Sequence, residues 1–157
     1  MAGVIETGML FLGKSVMIKG ITETTTSIYN ILQSSMISSH PDVQTTFDNL
    51  DLNARLEVIQ AIVTNIHSDK TPIKIALKNL HDILKVTKVE IDTLQVQMKE
   101  HEEKYFSSWR NPDYFPLLDN LEKHSFLIDK RLEMLLDVVK INNSFTVINE
   151  KKRGSFH

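Results

Sequence analysis

TPIKIALKNLHDILKVTKVEIDTLQVQMKEHEEKYFSSW, residues 71–109, carries Ile73, Leu77, Leu80, Leu84, Thr87, Ile91, Leu94, Met98, His101 and Tyr105 at steps of four and three without a slip. That spacing lays one stripe along a helix and calls for a partner helix. Thr71 and Pro72 mark the start, a capping oxygen and then a residue whose missing N–H costs nothing in the first turn. Run uninterrupted to about Trp109, the helix measures ~57 Å at ~1.5 Å per residue. A compact chain of 157 residues is a sphere only about 39 Å across, so the molecule is expected to be elongated.

A second seam, Leu121, Ser125, Ile128, Leu132, Leu135 and Val139, follows a break flanked by Pro112 and Pro116. Folding the chain back near Asp113 sets Tyr105 against Leu121, His101 against Ser125, Met98 against Ile128, Leu94 against Leu132, Ile91 against Leu135 and Thr87 against Val139. Both seams share one seven-residue repeat, which supports an antiparallel hairpin over 72–141. The last helix is expected to run from about Pro116 to Ile141.

Upstream, Ile5, Met9, Leu12, Val16, Ile28 and Ile31 lie at helical spacing, with Gly13, Gly20, Ser27 and Ser34 as small positions. Two readings stand open: one helix whose small stripe admits a close neighbour, or two short helices broken at Gly20 and the Thr24–Thr26 run. Pro41 opens a short helix to about Leu50, and Asp51 or Asn53 caps another that carries Leu56, Ile59, Val63 and Ile66. The fold class is therefore all-α, an elongated four- to five-helix bundle around a long hairpin. Residues 1–141 form one helical domain and 142–157 a C-terminal tail.

Composition excludes more than it assigns. The chain has no cysteine, which removes thiolate catalysis and Cys-based zinc sites. Its net charge of -2 and pI near 6.3 give no reason to expect nucleic acid as a partner. The apolar run Met9–Ile21 is interrupted by Lys14 and Lys19 and is too short to span a bilayer; a signal peptide is not expected either, since a basic leading region is missing. The expectation is a soluble chain, intracellular or within a viral particle. Four Ala against sixteen Ile and fourteen Lys against four Arg point to an AT-rich coding genome, a bias that large DNA viruses, many protists and some bacteria share.

One motif has catalytic form. Gly8-Met9-Leu10-Phe11-Leu12-Gly13-Lys14-Ser15 fits the phosphate-binding pattern GxxxxGK[ST] letter for letter. Its context argues against it: seven residues precede it, the four between the glycines are large and apolar, and no run of β-branched strands follows. Nucleotide binding, with Lys14 as its test residue, is one alternative function. The other is a metal-binding bundle, because the hairpin pairing sets His101 and His124 at one height with Glu100, Glu102 and Glu122 nearby. The Glu-x-x-His repeat of di-iron bundles is absent, so no metal or other cofactor is assigned.

Two surfaces remain for function. Ile83, Val86, Val89 and Val96 form a stripe off the main seam, which needs cover from the N-terminal helices, another copy or another protein. Five of the eleven aromatics, Tyr105, Phe106, Trp109, Tyr114 and Phe115, crowd the bend. They either close the end of the core or present rigid docking side chains. The tail carries Lys151, Lys152 and Arg153, as a frayed end or as an arm adding Phe145–Ile148 to a partner as a strand. The expected function is non-enzymatic: a structural or adaptor protein acting through helix-mediated binding or self-assembly, a virion component being one such role. The candidate residues are Phe106, Trp109, Tyr114, Phe115, Val86, Val89 and Val96.

Overall fold

Where the seam residues fall decides how the chain packs. The computed structural model describes residues 13–104 and 112–155. Among them are six helices and no strand: α1 (Lys14–Leu32), α2 (Ser35–Ser38), α3 (Pro41–Leu50), α4 (Leu52–Thr64), α5 (Thr71–Glu103) and α6 (Phe115–Gly154). The all-α bundle with a long antiparallel hairpin is the observed architecture. At 33 and 40 residues, α5 and α6 are ~50 and ~60 Å long, and they form the spine. Helix α1 packs along α5 and α4 against α1. Short α2 and α3 cross one end, where α2 touches α5 and α3 touches α6.

The seam of α5 is buried from Ile73 to Met98, and Leu121, Ser125, Ile128 and Leu135 are its buried counterparts on α6. The pairing differs from the expected one by two heptads. Asn120 Nδ2 donates to Glu90 Oε1 at 2.9 Å, and Arg131 Nη1 donates to the Asn79 carbonyl at 2.6 Å. The expected register would have placed Leu136 opposite Glu90. In the observed one Ile128 lies level with Leu80 and Leu84, and Tyr114 with Met98. A physical reason is visible in the sequence. Extending the expected register toward Pro72 would have set Leu84 against Asn142, Leu77 against Asn149 and Ile73 against Arg153. The observed register gives those aliphatic side chains Ile128, Leu135 and Val139 instead, and burying each is worth ~1.5–3 kcal/mol.

Helix boundaries shift accordingly. Helix α5 ends at Glu103, with Lys104 extended at φ -77 and ψ 136, short of the expected Trp109. Lys70 rather than Thr71 is the N-cap, and Pro72 sits in the first turn as expected. At the other end α6 passes Ile141, Asn142 and Asn143 without a break and continues to Gly154. The segment expected as a tail with a short strand-like piece is thus helical. Asp51 serves as C-cap of α3 and N-cap of α4 in the left-handed region, φ 48 and ψ 39. One residue makes the corner.

Gly20 does not break α1. A Cβ at this position would lie 2.6 Å from His81 Cε1 and 3.0 Å from Nε2, so the glycine makes room for the imidazole of α5. Elsewhere Ala in a helix interior is favoured over Gly by ~1 kcal/mol. Gly20→Ala is expected to lower the melting temperature of the wild type and to raise it in a His81→Ala background, read from thermal unfolding of the four variants.

Candidate protein-interaction surfaces

Beside the bend of the hairpin, side chains of three helices and the α2–α3 link meet. His40, the N-cap of α3, stands edge-on to Tyr114 with centroids 6.1 Å apart. Its Nε2 is 3.9 Å from Glu102 Oε1, and its Nδ1 is 3.0 Å from the Met36 carbonyl. Tyr114 is buried, and its hydroxyl finds no hydrogen-bond partner. Burial, reinforced by the nearby Glu102 carboxylate, raises its pKa above that of an ordinary tyrosine. Tyr114 therefore closes the end of the core, whereas Phe115 is 72% exposed. Phe106 and Trp109, with Tyr105, lie outside the described residues.

His101 borders a polar cleft with Glu100, Lys104 and Tyr114. The two-heptad shift carries it away from His124, which lies near the height of Lys88, about 20 Å along the helix. The expected His101 and His124 layer is therefore not formed. Among the described residues, no three His, Cys, Asp or Glu side chains gather as a metal site. Lys14, the test residue of the phosphate motif, begins α1 and donates to the His67 carbonyl at 2.8 Å. It ties the start of α1 to the chain just past α4. Residues 8–12 of that motif lie outside the described residues.

The pKa of His81 is held below that of an ordinary histidine. Burial against Gly20 and Thr24 dominates, Lys85 adds to it and Asp82 opposes it. Burial also pushes the Asp82 carboxyl up, but hydrogen bonds and charge from Lys78 and Lys85 outweigh it and hold it below the usual carboxylate range. Because the fold holds His81 neutral, its contribution is fully present above the unfolded-state value near 6.5 and is lost as pH falls toward the lower folded value. Thermal unfolding between pH 7.5 and 5.5 is expected to show falling stability, and less of a fall in His81→Leu; Asp82 matters only in more acidic solution.

Val16 and Tyr29 of α1 and Val58 of α4 are exposed, but most of the exposed large apolar side chains lie on the two long helices. Val86, Val89 and Val96 are 49, 63 and 55% exposed, while Ile83 of the same stripe is buried. The N-terminal helices do not cover the three valines. A longer stripe runs along α6: Met134, Val138, Ile141, Phe145 and Ile148, again stepping four and three. Met134, Ile141, Phe145 and Ile148 are each at least half exposed. Beside it, Val138, Ile141 and Phe145 form a groove of about 340 Å³ with Pro72 and Ile73 at the start of α5. No protein-family model matches this chain, and no curated protein or solved structure does. Its surfaces are the guide to its function.

Among the described residues, α6 outruns the other helices. The groove puts Ile141 and Asn142 level with Lys70 and Pro72, so the residues beyond it project ~18 Å past the foot of α5. From Asn143 to Ser155 every described side chain is exposed. No helix among the described residues is long and apolar enough to cross a membrane. The stripe was present in the sequence as a second set of heptad positions. The Asn142 and Asn143 pair masked it, reading as a helix end.

Proposed function

We propose that this chain works as a helical adaptor or structural protein, binding other proteins or further copies of itself through the apolar stripe of α6. The observation that carries the reading is the continuation of that stripe past the foot of α5, where the described residues leave Ile141, Phe145 and Ile148 each at least half exposed. Asn143, Ser144, Phe145, Val147, Ile148 and Asn149 are all weak helix formers. A short helix of such residues is marginal in water without a packed face. A partner seated on Ile141, Phe145 and Ile148 supplies that face, at ~1.5–3 kcal/mol for each side chain it buries fully. The valines of α5 and Phe115 are smaller exposed surfaces available to the same kind of contact.

The test uses a photo-crosslinking amino acid at Phe145 in the full chain, with Asn143 on the other side of the helix as control. In the cells that make the protein, irradiation is expected to give protein adducts from position 145 and few from 143. Absence of any protein adduct at 145 would sink the reading.

A further inference from the structure

We infer that the occupant of the α6 stripe is a second copy of this chain, paired antiparallel across a two-fold axis near Ser144. This inference rests on the docking reading above and names its partner. With Val138 and Phe145 at the first core position of a heptad, Met134, Ile141 and Ile148 take the second. Antiparallel pairing then sets Ile141 of each copy against Phe145 of the other, and Val138 against Ile148. The stripe covers itself.

Charge selects this orientation. Lys151, Lys152 and Arg153 close the C-terminal end of α6, while Glu133 and Asp137 flank the other end of the stripe. Parallel copies would bring the two basic clusters side by side. Antiparallel copies bring Lys151 of each opposite Asp137 of the other, at the flanking positions that set partner choice and orientation in paired helices. Sliding the antiparallel pair by one heptad toward the bundle would instead face Lys151 with Lys130. The favoured register is therefore the one that matches both the apolar contacts and the charges.

The ends of the bundles agree with it. The groove places the foot of α5 near Asn142, and the proposed axis lies about one to two residues beyond, between the centre of the apolar pairs and that of the charge pair. The two bundles then abut end to end, with each projecting helix lying along Met134 and Val138 of the other copy. Phe145 of one copy stands at the groove that Pro72, Ile73 and Ile141 of the other help to line. A closed two-fold contact uses the same patch on both copies and stops at two.

The absence of native cysteine makes the test direct. Light scattering at micromolar concentration is expected to give a mass twice that of the 18.0 kDa chain. Ile141→Asp combined with Phe145→Asp is expected to halve the mass with the main melting transition kept, since both side chains are exposed. Under mild oxidation Ser144→Cys is expected to give a disulfide-linked dimer and Lys151→Cys almost none. A monomeric wild type overturns the inference, and so does a dimer that Lys151→Cys links and Ser144→Cys does not. Adducts from position 145 to a different protein, with the purified chain monomeric, overturn the inference and leave the docking reading standing; no adduct at all removes both.

Discussion

Leu84→Ala is expected to lower the unfolding free energy by ~2–5 kcal/mol, the range for removing a buried leucine from a core that collapses only partly around the gap. Leu84 has no exposed surface, and it sits on the α5 seam between the start of the helix and the Thr87 layer. Ile128, also with none, lies level with it on α6. A double-mutant cycle in chemical denaturation checks the register as well as the magnitude. Leu84→Ala and Ile128→Val are expected to be non-additive by ~0.5 kcal/mol or more, and Met98→Ala with Ile128→Val to add within ~0.5 kcal/mol. The reverse outcome would restore the register in which Met98 faces Ile128.

Arg55→Ala is expected to cost ~1–3 kcal/mol, because it removes charge-assisted hydrogen bonds to a buried group. Arg55 of α4 reaches α6, where Nη1 donates to the Ser125 hydroxyl and to the Ser125 carbonyl, the latter at 3.2 Å. The same nitrogen is 3.0 Å from Asp129 Oδ2. Ser125 is 2% exposed, so its hydroxyl has little water to turn to. The ion pair itself is partly solvated, with side chains 32 and 45% exposed. Asp129→Asn is therefore expected to cost less than ~1 kcal/mol. Equal losses from the two substitutions, measured by thermal or chemical unfolding, would place the stabilisation in the ion pair.

Much of the fold was legible because helices announce themselves through local spacing. The α5 seam, the Pro72 start, the Pro41 helix and Asp51 as one of two candidate N-caps were all readable from residues a few positions apart, while the left-handed corner at Asp51 was not. The Arg55 clamp was not, since Arg55 and Ser125 are far apart in sequence and neither stands in a motif. His81 against Gly20 was invisible for the same reason; only the glycine could be marked as a place of close approach or a break. The continuation of α6 was missed on propensity. Asn142, Asn143 and the alternating Phe145 and Val147 favour a stop or an extended piece, whereas the helix runs through them to Gly154.

The candidate surfaces divide in the same way. Val86, Val89 and Val96 were found by helical spacing, but whether the N-terminal helices would cover them was a question of packing direction, and they stand exposed. Tyr114 and Phe115, adjacent in sequence, were expected to share one role. The tertiary structure turns Tyr114 into the core beside His40 and leaves Phe115 outside it.

By itself, then, the sequence determined an all-α chain with a long helical hairpin, since a seam that steps four and three over many turns has few other ways to leave water. It did not determine which layers of the two seams meet. A seven-residue repeat is indifferent to a slide by whole heptads, and only the sum of buried contacts over the full length of α5 breaks that degeneracy. The observed register covers Ile73, Leu77, Leu80 and Leu84 as well as Ile91 and Met98, and by doing so it leaves the end of α6 with an apolar face that the described residues of its own bundle do not cover.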